Sequence, residues 1–216
     1  MRRIVVLASG RGSNLDALLT AAAAEHWDDQ MQARVSAVIS NQADARALEV
    51  ARAHGVATHI VSHQTFDSRA AFEHALADTV DRDQPALVVL AGFMRILGPE
   101  FVQRYAGRLI NIHPSLLPSF PGLNTHQRAL DAGVRIHGAT VHFVSSDVDA
   151  GAIIAQAAVP VNPDDDEAVL AARVLQQEHL LLPRAVRHVL EGRVRCRGRR
   201  AVLHNVAPGQ LSLLAG

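Results

Sequence analysis

Ile4-Val5-Val6-Leu7-Ala8 is an unbroken apolar run rich in β-branched residues, the pattern of a strand covered on both faces. After the break at Ser9-Gly10, Leu15, Leu18 and Leu19 recur at helical spacing as far as the alanines at 21–24. The same alternation continues: a strand over 35–40, a helix over 43–54 closed by Gly55, and a strand over 57–61. A helix over 67–81 starts near Asp67 or Ser68, and a buried strand over 87–91 ends at Gly92. The second half is less regular, with strands over 109–112, 139–144 and 153–159 and a long amphipathic helix over 166–191. The tail after Gly192 reads as a short strand or hairpin with a loose end. Strand–helix alternation at short intervals predicts an α/β fold with a mostly parallel sheet. With no internal repeat and no Gly/Ser/Pro-rich linker, one domain with two lobes is expected, 1–107 and 108–216.

Composition narrows the class. The 216 residues are 49% apolar and 19% charged, which suits a globular chain with a core of its own. Basic and acidic side chains balance to a formal net charge of zero, so no global field draws the chain to nucleic acid or membrane. Cys196 is alone, which excludes a disulfide framework and a cysteine metal cluster. MRRIVVLASG is too short an apolar stretch for a signal peptide, and no window reaches the ~18 apolar residues of a membrane span. A cytoplasmic location is expected.

Two segments carry candidate chemistry. Gly10-Arg11-Gly12-Ser13-Asn14 lies between the first strand and the first helix, where glycines let a ligand approach the backbone and the helix N-terminus offers N–H groups to an anion. Leu15 holds the third glycine position of a dinucleotide fingerprint, the second strand ends in Ser40-Asn41 without an acidic residue, and no Gly-Lys-Ser/Thr follows. The loop therefore reads as a site for one phosphate held by Gly12, Ser13 and Asn14. Helix capping by Ser13 and Asn14 is the other reading, and loop position leaves both open.

The second segment is NIHPSLLPSFPG, residues 111–122. Residues i and i+2 of a strand share a face, so Asn111 and His113 project together at the carboxyl end of a strand, where ligands of open α/β sheets gather. An amide N–H and an imidazolium are both donors, suited to an oxygen that gains negative charge under attack, and the histidine can also move a proton. Prolines 114, 118 and 121 stiffen the exit. The competing reading is a strand-end pair satisfying local backbone groups. An acidic partner for His113 is available in HFVSSDVDAGAII, residues 142–154, where Asp147 and Asp149 precede Gly151; spacing does not choose between them.

Read in order, SGRGSNL (9–15), FDSR (66–69), VVLAGFMRIL (88–97), NIHPSLLPSFPG, HGATVHFV (137–144), DVDAG (147–151) and ARVLQQEH (172–179) resemble the phosphoribosylglycinamide formyltransferase family, and the resemblance extends to about residue 191. It implies a Rossmann-like formyltransferase fold with about seven sheet strands and helices on both faces. It also implies transfer of the formyl group of 10-formyltetrahydrofolate, as co-substrate and without a metal, to the amine of glycinamide ribonucleotide through a tetrahedral intermediate, a step of purine synthesis. By matching position, Asn111, His113 and Asp149 are the implied catalytic trio, which settles the choice of aspartate. Gly12, Ser13 and Asn14 fall on the family's phosphate loop, and Glu178 on a substrate-binding residue. Arg69, Met94, Arg95, Ile96, Leu97, Asn111, Val144 and Asp147 fall on the folate pocket. The resemblance leaves His126 as a further candidate for the phosphate region. Ser119 and Leu175 depart from the family's usual residues, so both stay outside the expected site.

Formyltetrahydrofolate deformylase and methionyl-tRNA formyltransferase resemble the chain too, but usually carry extra N-terminal or C-terminal domains; the deformylase also usually has a histidine where Pro114 stands. GRVRCRGRR, 192–200, would put Arg193, Arg195, Arg197 and Arg199 on one strand face, yet it lacks interleaved aromatics and reads as a soluble edge rather than a nucleic-acid surface. The 12 histidines include no H-E-x-x-H pattern. The expected partners are small molecules, not nucleic acid or membrane, with monomer and homodimer both open.

Overall fold

The computed structural model describes residues 1–207 and 209–215. Two compact units divide the chain, Met1–Ile110 and Asn111–Gly216.

The first unit alternates β1 (Arg2–Leu7), α1 (Ser13–Ala24), α2 (Trp27–Gln30), β2 (Ala33–Ser40), α3 (Arg46–Ala53) and β3 (Ala57–Ile60). A 3₁₀ turn (His63–Thr65), α4 (Arg69–Asp81), β4 (Leu87–Leu90), α5 (Pro99–Arg104) and the start of β5 (Leu109–His113) follow. Its strands lie in the order β5-β4-β1-β2-β3, with β1 parallel to both β2 and β4, and β2 parallel to β3. Ile4 to Leu7 and Leu87 to Val89 are fully buried, as expected of parallel strands covered on both faces. α1 packs on α3, and α3 on β2 and β3. Between β1 and α1 the chain turns through Gly12 at φ 80, where an added Cβ would sit 2.7 Å from the Ala47 Cα. A side chain there would meet both the left-handed backbone and the neighbouring helix.

The second unit holds the end of β5, α6 (Thr125–Asp131), β6 (Ile136–Phe143), β7 (Ile153–Pro160), α7 (Glu167–Leu190), β8 (Val194–Arg197), β9 (Arg200–Leu203) and β10 (Ser212–Leu214). Strand order is β5-β6-β7-β10, with β6 antiparallel to β7 and β10 parallel to it; β8 and β9 form a separate antiparallel ribbon. The apolar stripe of α7, including Leu170, Val174, Leu181 and Val186, is buried, and the helix lies on β6 and β7. Asp166 caps it by accepting a hydrogen bond from the Val169 N–H at 2.8 Å.

The mostly parallel α/β sheet agrees with the hydrophobic pattern. Counting β5 once, its strands number eight among the described residues rather than about seven. The added strand is β10, in the tail expected to be loose: its backbone pairs with Gln156 to Ala158 of β7, and pairing along an open sheet edge can order three residues of weak apolar signal. The elements α2, α5 and α6 were also unforeseen. They span only four to seven residues, too short to show a helical period.

Candidate active site

β5 ends in Asn111-Ile112-His113, and the alternation expected of a strand holds: Asn111 and His113 share a face while Ile112 is buried on the other. His113 is 5% exposed. Its Nδ1 lies 3.4 Å from Asp149 Oδ2, and its Nε2 lies 3.0 Å from the Phe120 carbonyl oxygen. Both partners accept, so the ring is held by a carboxylate on one side and a backbone carbonyl on the other.

Asp149 comes from the loop between β6 and β7. Its φ of 52 lies in the left-handed region, and its Oδ2 also accepts the Gly122 N–H at 2.8 Å. Gly151 makes the placement possible, because a Cβ there would fall 1.7 Å from the Phe143 carbonyl oxygen. The aspartate that reaches His113 is therefore Asp149. Asp147 is exposed, and its carbonyl accepts the Ser145 hydroxyl.

His142, which the sequence had not singled out, is part of this cluster. It is 2% exposed on β6, with Nδ1 2.9 Å from the Phe143 carbonyl and Nε2 3.2 Å from Asn111 Nδ2. Burial lowers its pKa, against opposing effects of the Phe143 carbonyl and Asp149. A neutral ring with its proton on Nδ1 leaves Nε2 to accept from the Asn111 amide. The orientation of that amide is thereby set, and one of its two N–H bonds remains for another acceptor. Sequence position could not reveal this, because it depends on which strand neighbours β5; the usable signal was that Thr140 and His142 share one face of β6.

The proline-rich exit is stapled to β6. Thr140 Oγ1 donates to the Ser115 carbonyl at 2.6 Å and accepts the Leu117 N–H at 3.0 Å, while Gln156 Nε2 donates to the Leu117 carbonyl. The Phe120 ring meets His137 edge-on at 5.8 Å, and His126 meets His137 at 5.3 Å. His137 is 1% exposed, and burial pushes its pKa down to about 4, with His126 adding to the effect. His126 is lowered by burial as well. Glu178, 7% exposed, is a buried carboxylate on α7. Val144 is half-buried just beyond β6.

The remaining expected residues lie in the first unit. Gly12 is the N-cap of α1 with no side-chain capping bond, so the structure does not bear out the reading of Ser13 and Asn14 as caps. The first helical bond runs from the Asp16 N–H to the Gly12 carbonyl at 2.9 Å, and the N–H groups of the first turn precede that ladder. Met94 and Ile96 are 69% and 66% exposed between β4 and α5, flanking exposed Arg95, while Leu97 is buried. Arg69 is exposed at the start of α4 and pairs with Glu73. No group of three or more His, Cys, Asp or Glu side chains able to hold a metal ion occurs among the described residues. No helix among them is long and apolar enough to cross a membrane.

Comparison with known proteins converges on one family. The formyl transferase family profile matches residues 2–186. The chain is 50% identical to the phosphoribosylglycinamide formyltransferase of Escherichia coli over 192 residues, covering 89% of each. The solved glycinamide ribonucleotide transformylase 1 of Symbiobacterium toebii superimposes with a TM-score of 0.89 at 44% identity, covering 95% of both chains. A formyltetrahydrofolate deformylase from Pseudomonas syringae is also similar, at 30% identity and a TM-score of 0.83, but only 66% of that chain is covered.

Proposed function

The chain belongs to the formyl transferase family, and from that premise we propose that it moves the formyl group of 10-formyltetrahydrofolate onto the amine of 5-phosphoribosylglycinamide, in the cytoplasm, as a step of purine biosynthesis. The observation that carries this reading is the His113–Asp149 contact of 3.4 Å, with the Asn111 amide two residues earlier on β5 oriented by His142.

The amine attacks the formyl carbon, a C–N bond forms, and the carbonyl electrons move onto oxygen. The Asn111 Nδ2–H and the His113 imidazolium are the donors for that oxyanion, with Asp149 maintaining the charge on His113. Collapse restores the carbonyl and breaks the bond to folate N10. The proton lost by the amine is delivered to N10, with His113 as the carrier, so atoms and charge balance. Because the His113 Nε2–H here donates to the Phe120 carbonyl, the reaction exchanges that bond for one to the formyl oxygen. Gly12, Ser13 and Asn14 are assigned to the substrate phosphate, Glu178 to the ribose or amine end, and Arg69, Met94 to Leu97, Val144 and Asp147 to the folate.

The test is a spectroscopic assay of folate product with and without glycinamide ribonucleotide. Amine-dependent turnover is the expected result. Amine-independent release of formate would overturn the transferase reading in favour of the deformylase chemistry.

A further inference from the structure

Between β4 and α5 the chain exposes Met94, Arg95 and Ile96, a tip whose apolar side chains are not packed into the core. Two backbone contacts hold its ends instead, an exposed one at Met94 and a buried one at Gly98. At one end the Met94 N–H donates to Ser9 Oγ at 2.8 Å. The Ser9 hydroxyl donates its single proton to Asn41 Oδ1 at 2.5 Å, and Asn41 Nδ2 lies 3.3 Å from His63 Nδ1. Asn41 is 2% exposed, so an unmade bond there would carry the full desolvation cost of a buried amide. At the other end the Gly98 N–H donates to Glu73 Oε1 at 2.8 Å, an oxygen that also accepts Arg69 Nε–H at 2.7 Å. An added Cβ at residue 98 would lie 2.5 Å from Glu73 Oε2, so a larger residue there would displace the carboxylate that holds the Gly98 amide.

We propose that Ser9 and Glu73 are positioning residues for the formyl-folate site, each holding one end of the 94–98 segment by its backbone amide; the inference rests on the reading above that Met94 to Leu97 form the folate edge. A loop that reads a flat heterocycle through its backbone loses conformational entropy on binding unless it is ordered beforehand. Two anchored amides, four residues apart, order the stretch that carries Arg95 and Ile96. Glu73 serves a second purpose, because its pairing with Arg69 aligns an exposed guanidinium that the family resemblance also assigns to folate.

The test combines steady-state kinetics with amide hydrogen exchange on Ser9→Ala, Glu73→Gln, Glu73→Ala and Ile96→Ala. Ser9→Ala and Glu73→Ala are expected to raise KM for formyl folate about five- to tenfold, the loss of one hydrogen bond, and to leave kcat and KM for the amine within about twofold. Exchange at Met94 accelerates in the first variant and at Gly98 in the second. Glu73→Gln retains an acceptor for the Gly98 amide and is expected to recover part of the loss; if Glu73→Ala does not fold, Glu73→Gln and Ser9→Ala carry the test. An unchanged folate KM in both anchoring sites, with Ile96→Ala still impaired, overturns the inference alone. An unchanged folate KM in Ile96→Ala overturns the assignment of the loop to folate, and the inference with it.

Discussion

The Ser9–Asn41 network of the first unit and the His113–Asp149 cluster of the second are both polar and at least partly buried, but they are built differently. Around Ser9 and Glu73 the side chains end on backbone amides, and those contacts hold the chain in one place. Around His113 the order is reversed. Backbone groups at Phe120, Gly122 and Phe143 end on side chains, and those side chains are two imidazoles and a carboxylate. In the first region side chains hold the backbone; in the second the backbone holds ionisable side chains, at the cost of left-handed φ at Phe120 and Asp149. A binding loop needs the former, and a group that must carry charge or a proton in a transition state needs the latter.

The largest separation of the two regions is expected in kcat. His113→Ala or Asp149→Asn should lower it by a factor on the order of 10² or more while folate binding, followed by titration with tetrahydrofolate, is largely kept. Wild-type turnover in either would erase the distinction. His142→Phe removes the acceptor that orients Asn111 and should cost roughly tenfold in kcat, less than losing His113 itself, because the amide remains but is no longer aimed. An effect on KM alone would move His142 out of the chemical cluster. Ser13→Ala should act in the opposite sense, raising KM for the phosphorylated amine several-fold with kcat kept, since a phosphate contact is present in ground and transition states alike.

A separate effect, on stability rather than turnover, concerns pH. His137 is buried neutral, with its pKa lowered to about 4 against about 6.5 for an unfolded histidine. The unfolded chain then binds more protons between those values, so stability is intact above about pH 6.5 and falls as pH drops toward 4, by as much as about 3 kcal/mol. Thermal unfolding at pH 7 and pH 4.5 should show a smaller drop in Tm for His137→Phe than for the parent chain.

Much of this was legible along the chain. Apolar runs such as Ile4 to Ala8 and Leu87 to Ala91 announce buried parallel strands, because a strand covered on both faces has no polar side to show. The i, i+2 placement of Asn111 and His113 follows from the pleat alone. Asp149 was narrowed to one of two residues by loop position and picked out only by resemblance. His142 and the Phe120 carbonyl were not legible, and Asn41 entered only as the missing ribose carboxylate.

Local order was the province of the sequence: the periods of 2.0 and 3.6, the breaks at glycine and proline, and the donors that share a pleat face are all properties of near neighbours in the chain. Folding had to supply the rest. It brought His142 from β6 to the amide of Asn111, Asp149 from a distant turn to the ring of His113, and Glu73 from α4 to the backbone of Gly98. Each of those contacts joins residues 25 or more positions apart, where periodicity carries no information and only strand order and close packing determine which polar atoms meet.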